Sequence, residues 1–137
     1  MKREKIIIPQ ILHDQMVEHG RMALPYEACG MLSGNRQEVM SIWPLQNEWK
    51  SDRRFFVSKQ VVEQTIQKAN DLGEQILAIY HTHPSTEPKP SHYDIKNHLD
   101  KNIKMVIVSY KANTPTVKWY RIMNDYYQEC YVSIKSS

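Results

Sequence analysis

The chain has only two cysteines, Cys29 and Cys130, far apart and without a Cys-x-x-Cys pair. That scarcity argues against a disulfide framework and against a cysteine-based zinc site, and it fits a reducing interior. Long apolar runs are missing too, since the N-terminal MKREKIIIPQ offers only three consecutive isoleucines. A signal-peptide core needs about 7–15 apolar residues and a spanning helix about 20, so the expectation is a soluble cytoplasmic protein with no membrane role. No block of like charges occurs, and a net charge of +3 with a pI near 8.8 is mild. Composition therefore implies neither nucleic acid nor membrane as a partner. Repeats, low-complexity segments and linker-like stretches are absent, so residues 1–137 read as a single domain whose 41% hydrophobic content can fill one core.

What is present reads as alternating strands and helices. Lys5 to Ile8 predicts a short strand, and Pro9 to about Ala23 a helix with Ile11, Leu12, Met16, Val17 and Met22 as core positions. Glu27 follows, between a proline turn and an apolar strand. An acid in that place is ordinarily a solvated loop residue, while glycine inside the strand marks close approach of a neighbour or ligand. Glu38 to Pro44 predicts a strand paired in a hairpin across Gly34-Asn35. The polar stretch Asn47 to Arg54 reads as a loop and Phe55-Phe56-Val57 as a short buried strand. Ser58 suits the N-cap of a helix through about Leu72, with Gly73 as its stop. Lys104 to Tyr110, Val117 to Met123 and Tyr126 to Ile134 predict three further strands. The expected class is α/β in the mixed α+β sense, a central mixed sheet flanked by helices.

The densest chemistry lies in AIYHTHPSTEPKPSHYDIKNHLD, Ala78 to Asp100. Ile76 to Tyr80 has strand length and composition, and side chains two apart on a strand share a face, so His81 and His83 converge on one point. Pro84 ends the strand, and Pro88 and Pro90 stiffen the return. Ser91 suits an N-cap and Asp94 the third helical position, which places that carboxylate in the first turn, near the strand end. Capping alone would account for Ser-x-x-Asp, and surface placement for His-x-His. Together they make a three-ligand set, the open arrangement of a catalytic zinc site rather than the closed four-ligand one of a structural site. His92 and His98 are read as surface residues, and Cys29 as a small buried one.

These residues resemble the JAMM, or MPN+, zinc metalloproteases, compact prokaryotic members in particular. His81-x-His83, seven residues, Ser91, two residues and Asp94 match that family's His-x-His-x7-Ser-x2-Asp motif. The segment Pro25-x-Glu27-x-Cys29-Gly30-x-Leu32 matches its glutamate segment, and Asn47 falls where members often carry asparagine. The resemblance implies the JAMM/MPN core, related in topology to cytidine deaminases, with one Zn2+ per chain held by His81, His83 and Asp94. It further implies Glu27 as general base and Ser91 as donor to the tetrahedral oxyanion. The implied activity is hydrolysis of a peptide or isopeptide bond. In a chain this short the implied substrate is the C-terminus of a ubiquitin-like or sulfur-carrier protein, not polyubiquitin.

Three alternatives differ in class. RadC-type proteins of DNA repair context share a similar histidine stretch, but usually with a DNA-binding N-terminal part. A metal-free MPN scaffold would serve binding only, against which the complete motif speaks. A general small-peptide or phage-tail-type hydrolase is the third. The His-x-Glu and Pro-Cys-x-x-Cys signature of zinc deaminases is absent, which excludes deamination.

Overall fold

The computed structural model describes residues 5–98 and 100–136. Its elements run β1 (Lys5–Pro9), α1 (Gln10–Ala23), β2 (Cys29–Asn35), β3 (Glu38–Leu45), α2 (Lys59–Asp71), β4 (Gln75–His83), α3 (His92–Asn97), β5 (Lys104–Ser109), β6 (Thr116–Ile122), β7 (Tyr127–Glu129) and β8 (Tyr131–Lys135). The strands form one mixed sheet in the order β7-β6-β5-β4-β2-β3-β1-β8. β4 lies in its middle, antiparallel to β2 and parallel to β5. This is the mixed α/β architecture expected.

The sheet separates two apolar layers, and the period of two along β4 assigns its residues between them. Ala78 and Tyr80 join Ile6, Ile8, Met16, Leu32, Val39, Val106 and Val108 on the α1 side. Complete burial of such aliphatic side chains contributes about 1.5–3 kcal/mol each. The other face carries Met105, Ile107, Tyr120 and Ile122, with Ile95 of α3 against them. His81 and His83 share the second face with Ile79, since all three are odd-numbered positions of one strand. β5 is buried from Lys104 to Ser109, as befits a strand between two others and covered on both sides.

The structure corrects the sequence reading in several places. The hairpin turn is Arg36-Gln37, with Asn35 paired to Glu38, and Gly34 pairs with Val39 beside a bulge that leaves Met40 of β3 without a partner in the register. A side chain on Gly34 would strike the Glu38 carbonyl. The close approach at Gly30 comes from the Tyr80 ring, not from a ligand. Phe55-Phe56-Val57 is loop, not strand. Ile11 and Met22 of α1 are exposed, leaving Met16 as its buried core residue, with Leu12 and Val17 partly buried beside it. Tyr126 to Ile134 holds two strands at opposite ends of the sheet order. Only Cys130 separates β7 from β8, so the sheet must curl until both edges meet one continuous stretch of chain. Among the described residues, no helix is long and apolar enough to cross a membrane.

Candidate metal centre

The ligand set is built from one stretch of chain. β4 delivers His81 and His83 to one face, and the loop returns to α3, where Ser91 is the N-cap. Ser91 Oγ accepts from the Asp94 amide at 3.0 Å, and Asp94 Oδ2 accepts from the Ser91 amide at 2.9 Å. This reciprocal capping fixes the Asp94 rotamer. Its Oδ2 then lies 3.2 Å from Nε2 of both His81 and His83, which are themselves 3.2 Å apart. All three side chains are buried.

An equilateral triangle of two ring nitrogens and a carboxylate oxygen suits a cation at its centre. Zinc bonds of about 2.0–2.1 Å in tetrahedral geometry put ligand atoms about 3.3 Å apart, so the dimensions are compatible with that metal. The tautomer of His83 is settled by its other nitrogen, which lies 2.8 Å from the Glu87 carbonyl. Nδ1 must donate there, so Nε2 keeps its lone pair for the metal. His81 is held differently, its ring stacked on Phe55 with centroids 5.2 Å apart and 24° between planes.

Glu27 reaches the centre through long-range pairing. Cys29 is paired with His81, so the chain just before β2 runs beside the end of β4. Thr82, pointing away from the histidines, accepts from the Ala28 amide through Oγ1 at 2.8 Å, and its own amide donates to the Ala28 carbonyl at 3.0 Å. The Glu27 amide donates to Ser51 O at 2.6 Å, and its carbonyl accepts from Asn47 Nδ2 at 2.9 Å. Glu27 is therefore buried, 2% exposed, and not the solvated loop residue that its setting suggests. Its Oε1 has no hydrogen-bond partner. Burial, then the negative charges of Asp94 and Asp52, push its pKa up to about 8. A buried orphan oxygen within electrostatic reach of the triad is what a site awaiting a proton donor should show.

The structure thus brings together Glu27, His81, His83, Ser91 and Asp94. His92 is exposed, as expected, but His98 is buried, with Nε2 2.6 Å from the Ile103 carbonyl, and burial lowers its pKa. Cys29 is buried, and its thiol is pushed up to about 12 by burial, then by the charges of Glu27 and Glu48. That is no nucleophile. Phe55 and Thr82 are not legible as site residues in the sequence: the first sits in an irregular loop, and the second differs from its neighbours only in which face it takes.

A curled mixed sheet with a His-x-His strand, a capped Asp and a buried Glu defines a JAB/MPN-type protein. Residues 9–122 match the family described as prokaryotic homologs of the JAB domain, and the chain belongs to that family. Among curated relatives, CysO-cysteine peptidase of Mycobacterium tuberculosis and of Mycobacterium bovis is 29% identical over 124 residues, covering 87% of this chain and 84% of the relative. A solved protein from Desulfitobacterium hafniense superposes with a TM-score of 0.88 at 28% identity, covering 96% of this chain and 94% of that one. A JAB1/MPN domain protein from Archaeoglobus fulgidus gives 0.64 at 21% identity, with 95% and 99% covered. A JAMM protein with a metalloprotease-like zinc site in the proteasome and signalosome gives 0.56 at 19%, with 95% and 98% covered. The last two establish likeness of fold.

Proposed function

We propose that this chain is a single-domain zinc hydrolase that cleaves a peptide or isopeptide bond at the C-terminus of a ubiquitin-like or sulfur-carrier protein. The observation that carries the reading is the buried, unpartnered Glu27 Oε1 beside a ready three-ligand triangle. His81, His83 and Asp94 would hold zinc, leaving a fourth position for water. Zinc bound there would act as a Lewis acid and lower the pKa of water from 15.7 toward about 7.

Glu27 is the general base. Its Oε1 takes the proton of the attacking water and returns it to the leaving amine, a transfer worth about 10² to 10⁴ in rate. Ser91 Oγ accepts from the Asp94 amide, which leaves its O–H free to donate to the developing oxyanion. A donor so placed contributes roughly 3–4 kcal/mol in the transition state. The relatives named as CysO-cysteine peptidases support release of a residue from a carrier C-terminus. The scarcity of cysteine, two residues in 137, suits a reducing, cytoplasmic site of action.

The test is incubation of zinc-loaded protein with ubiquitin-like and sulfur-carrier proteins extended at the C-terminus, read by intact mass. The expected result is loss of the extension, abolished by chelation. A zinc-loaded protein that cleaves none of them would refute the substrate class, and one that cannot be loaded with zinc would refute the hydrolase.

A further inference from the structure

Beside the triad opens a pocket of about 450 Å³ that has His81 and Asp94 in its wall. That volume is in the range that takes a ligand side chain or small molecule. The rest of the lining is largely apolar: Trp49, Phe55 and Phe56 come from the loop before α2, and Ile79 and Met105 from the sheet. Trp49 and Phe56 stack at 5.4 Å and 17°, yet remain 50% and 42% exposed. The loop that carries them is held in place. Asn47 Oδ1 accepts from the amides of Trp49 and Phe56, and the Arg54 guanidinium lies 4.3 Å over the Tyr93 ring of α3. The wall is preformed.

We propose that this pocket receives a bulky apolar side chain, of leucine, methionine or phenylalanine size, from the substrate residue adjoining the scissile bond. The bond itself rests on the hydrolase reading; the preference of the pocket does not. Continuity with two ligands of the triad places any occupant next to the reacting carbonyl. Half-exposed stacked aromatics gain burial only if the occupant is apolar. Of the polar groups in the wall, His98 Nε2 donates to Ile103 O and Asn97 Nδ2 to Tyr93 O, and the exposed Asp100 carboxylate accepts from the Asn102 amide. A charged side chain among these rings would lose its hydration with little in return. A substrate with glycine on both sides of the bond would leave the pocket unfilled, whereas a Gly-Gly tail followed by a large apolar residue would fill it.

The test is equilibrium binding, by calorimetry and tryptophan fluorescence, of peptides Gly-Gly-X-Gly-Gly to the zinc-loaded Glu27→Gln variant, in which turnover is slowed by about 10² to 10⁴. Symmetric glycine flanks let X find the pocket from either side of the bond. Leucine and phenylalanine at X are expected to bind about tenfold or more tighter than alanine, with lysine and glutamate no better than alanine. Trp49→Ala, which removes an exposed ring, and Val62→Trp, which fills the pocket from α2, should each collapse that ratio. Binding that is undetectable, indifferent to X or strongest for lysine or glutamate would overturn the proposal, as would a ratio unchanged in both variants. If the ratio holds but no extended carrier is cleaved, the substrate class fails and the pocket assignment stands.

Discussion

Asp94 and Glu27 are both carboxylates, 8% and 2% exposed, in one site, and their surroundings drive them to opposite states. Burial alone would raise Asp94. The ring nitrogens of His81 and His83, each 3.2 Å away, the charge on His81 and the Ser91 amide outweigh it and hold Asp94 well below the usual carboxylate range. Glu27 has burial without such partners, and the charge of Asp94 adds to it, so its pKa rises to about 8. One fold thus makes an anion that stays an anion and an acid that exchanges its proton near neutral pH. That division is what the proposed roles of metal ligand and general base require.

The largest effect should come from the anion. Asp94→Asn keeps the shape and removes the charge, and zinc content after dialysis, read by atomic emission, is expected to fall from about one per chain to near zero, with turnover lost. Glu27→Gln sits on the other side of the comparison. It should retain its zinc while turnover drops by about 10² to 10⁴. Equal metal loss in both variants would erase the distinction.

The same contrast predicts the pH dependence of the metal-free protein. Glu27 binds its proton more tightly folded than unfolded, so its contribution to stability is full below its ordinary value of 4.5 and is lost as pH rises through about 8. Asp94 works the other way, stabilising above its ordinary 3.8 and losing that contribution as pH falls. Each tenfold change in proton affinity between the unfolded and folded chain corresponds to about 1.4 kcal/mol, so chelated Glu27→Gln should exceed the wild type by about 3 kcal/mol at pH 9, after allowance for relaxation. At pH 4 the two should coincide. Urea unfolding at both pH values measures it, and a difference independent of pH would mean that Glu27 is ionised throughout.

The anionic half of the site is legible in the sequence because its rules are local. His81, His83, Ser91 and Asp94 obey the period of a strand and the spacing of a capping box, both readable within one stretch. Glu27 stands out through motif resemblance, but its burial depends on the pairing of Cys29 with His81 and on a tie to Ser51, neither of which any local pattern encodes. Phe55-Phe56-Val57 misleads for a related reason. An apolar triplet suggests a strand, yet Phe55 turns to His81 and Phe56 to Trp49. His98 reads as a surface residue on composition, though the carbonyl it meets belongs to Ile103, beyond the end of α3. Alternation runs through Tyr126 to Ile134 without announcing the break at Cys130.

The smallest expected effect tests what holds the basic half in place. Asn47 saturates its amide with backbone alone: Nδ2 donates to Glu27 O at 2.9 Å and Arg54 O at 3.0 Å, while Oδ1 accepts from the amides of Trp49 and Phe56, each at 3.1 Å. Asn47→Asp keeps the two accepting bonds that shape the loop and sets an oxygen against two carbonyls. Thermal or denaturant unfolding should show a loss of about 1–3 kcal/mol, the range for an unsatisfied buried group. Zinc content should stay near about one per chain, because the triad takes its geometry from β4 and α3. Turnover should fall by about tenfold, as Glu27 shifts by a fraction of an ångström from its proton. Zinc loss comparable to that of Asp94→Asn would mean that Asn47, acting through Phe55 on His81, holds both carboxylates' halves of the site together, and the two would no longer be separable.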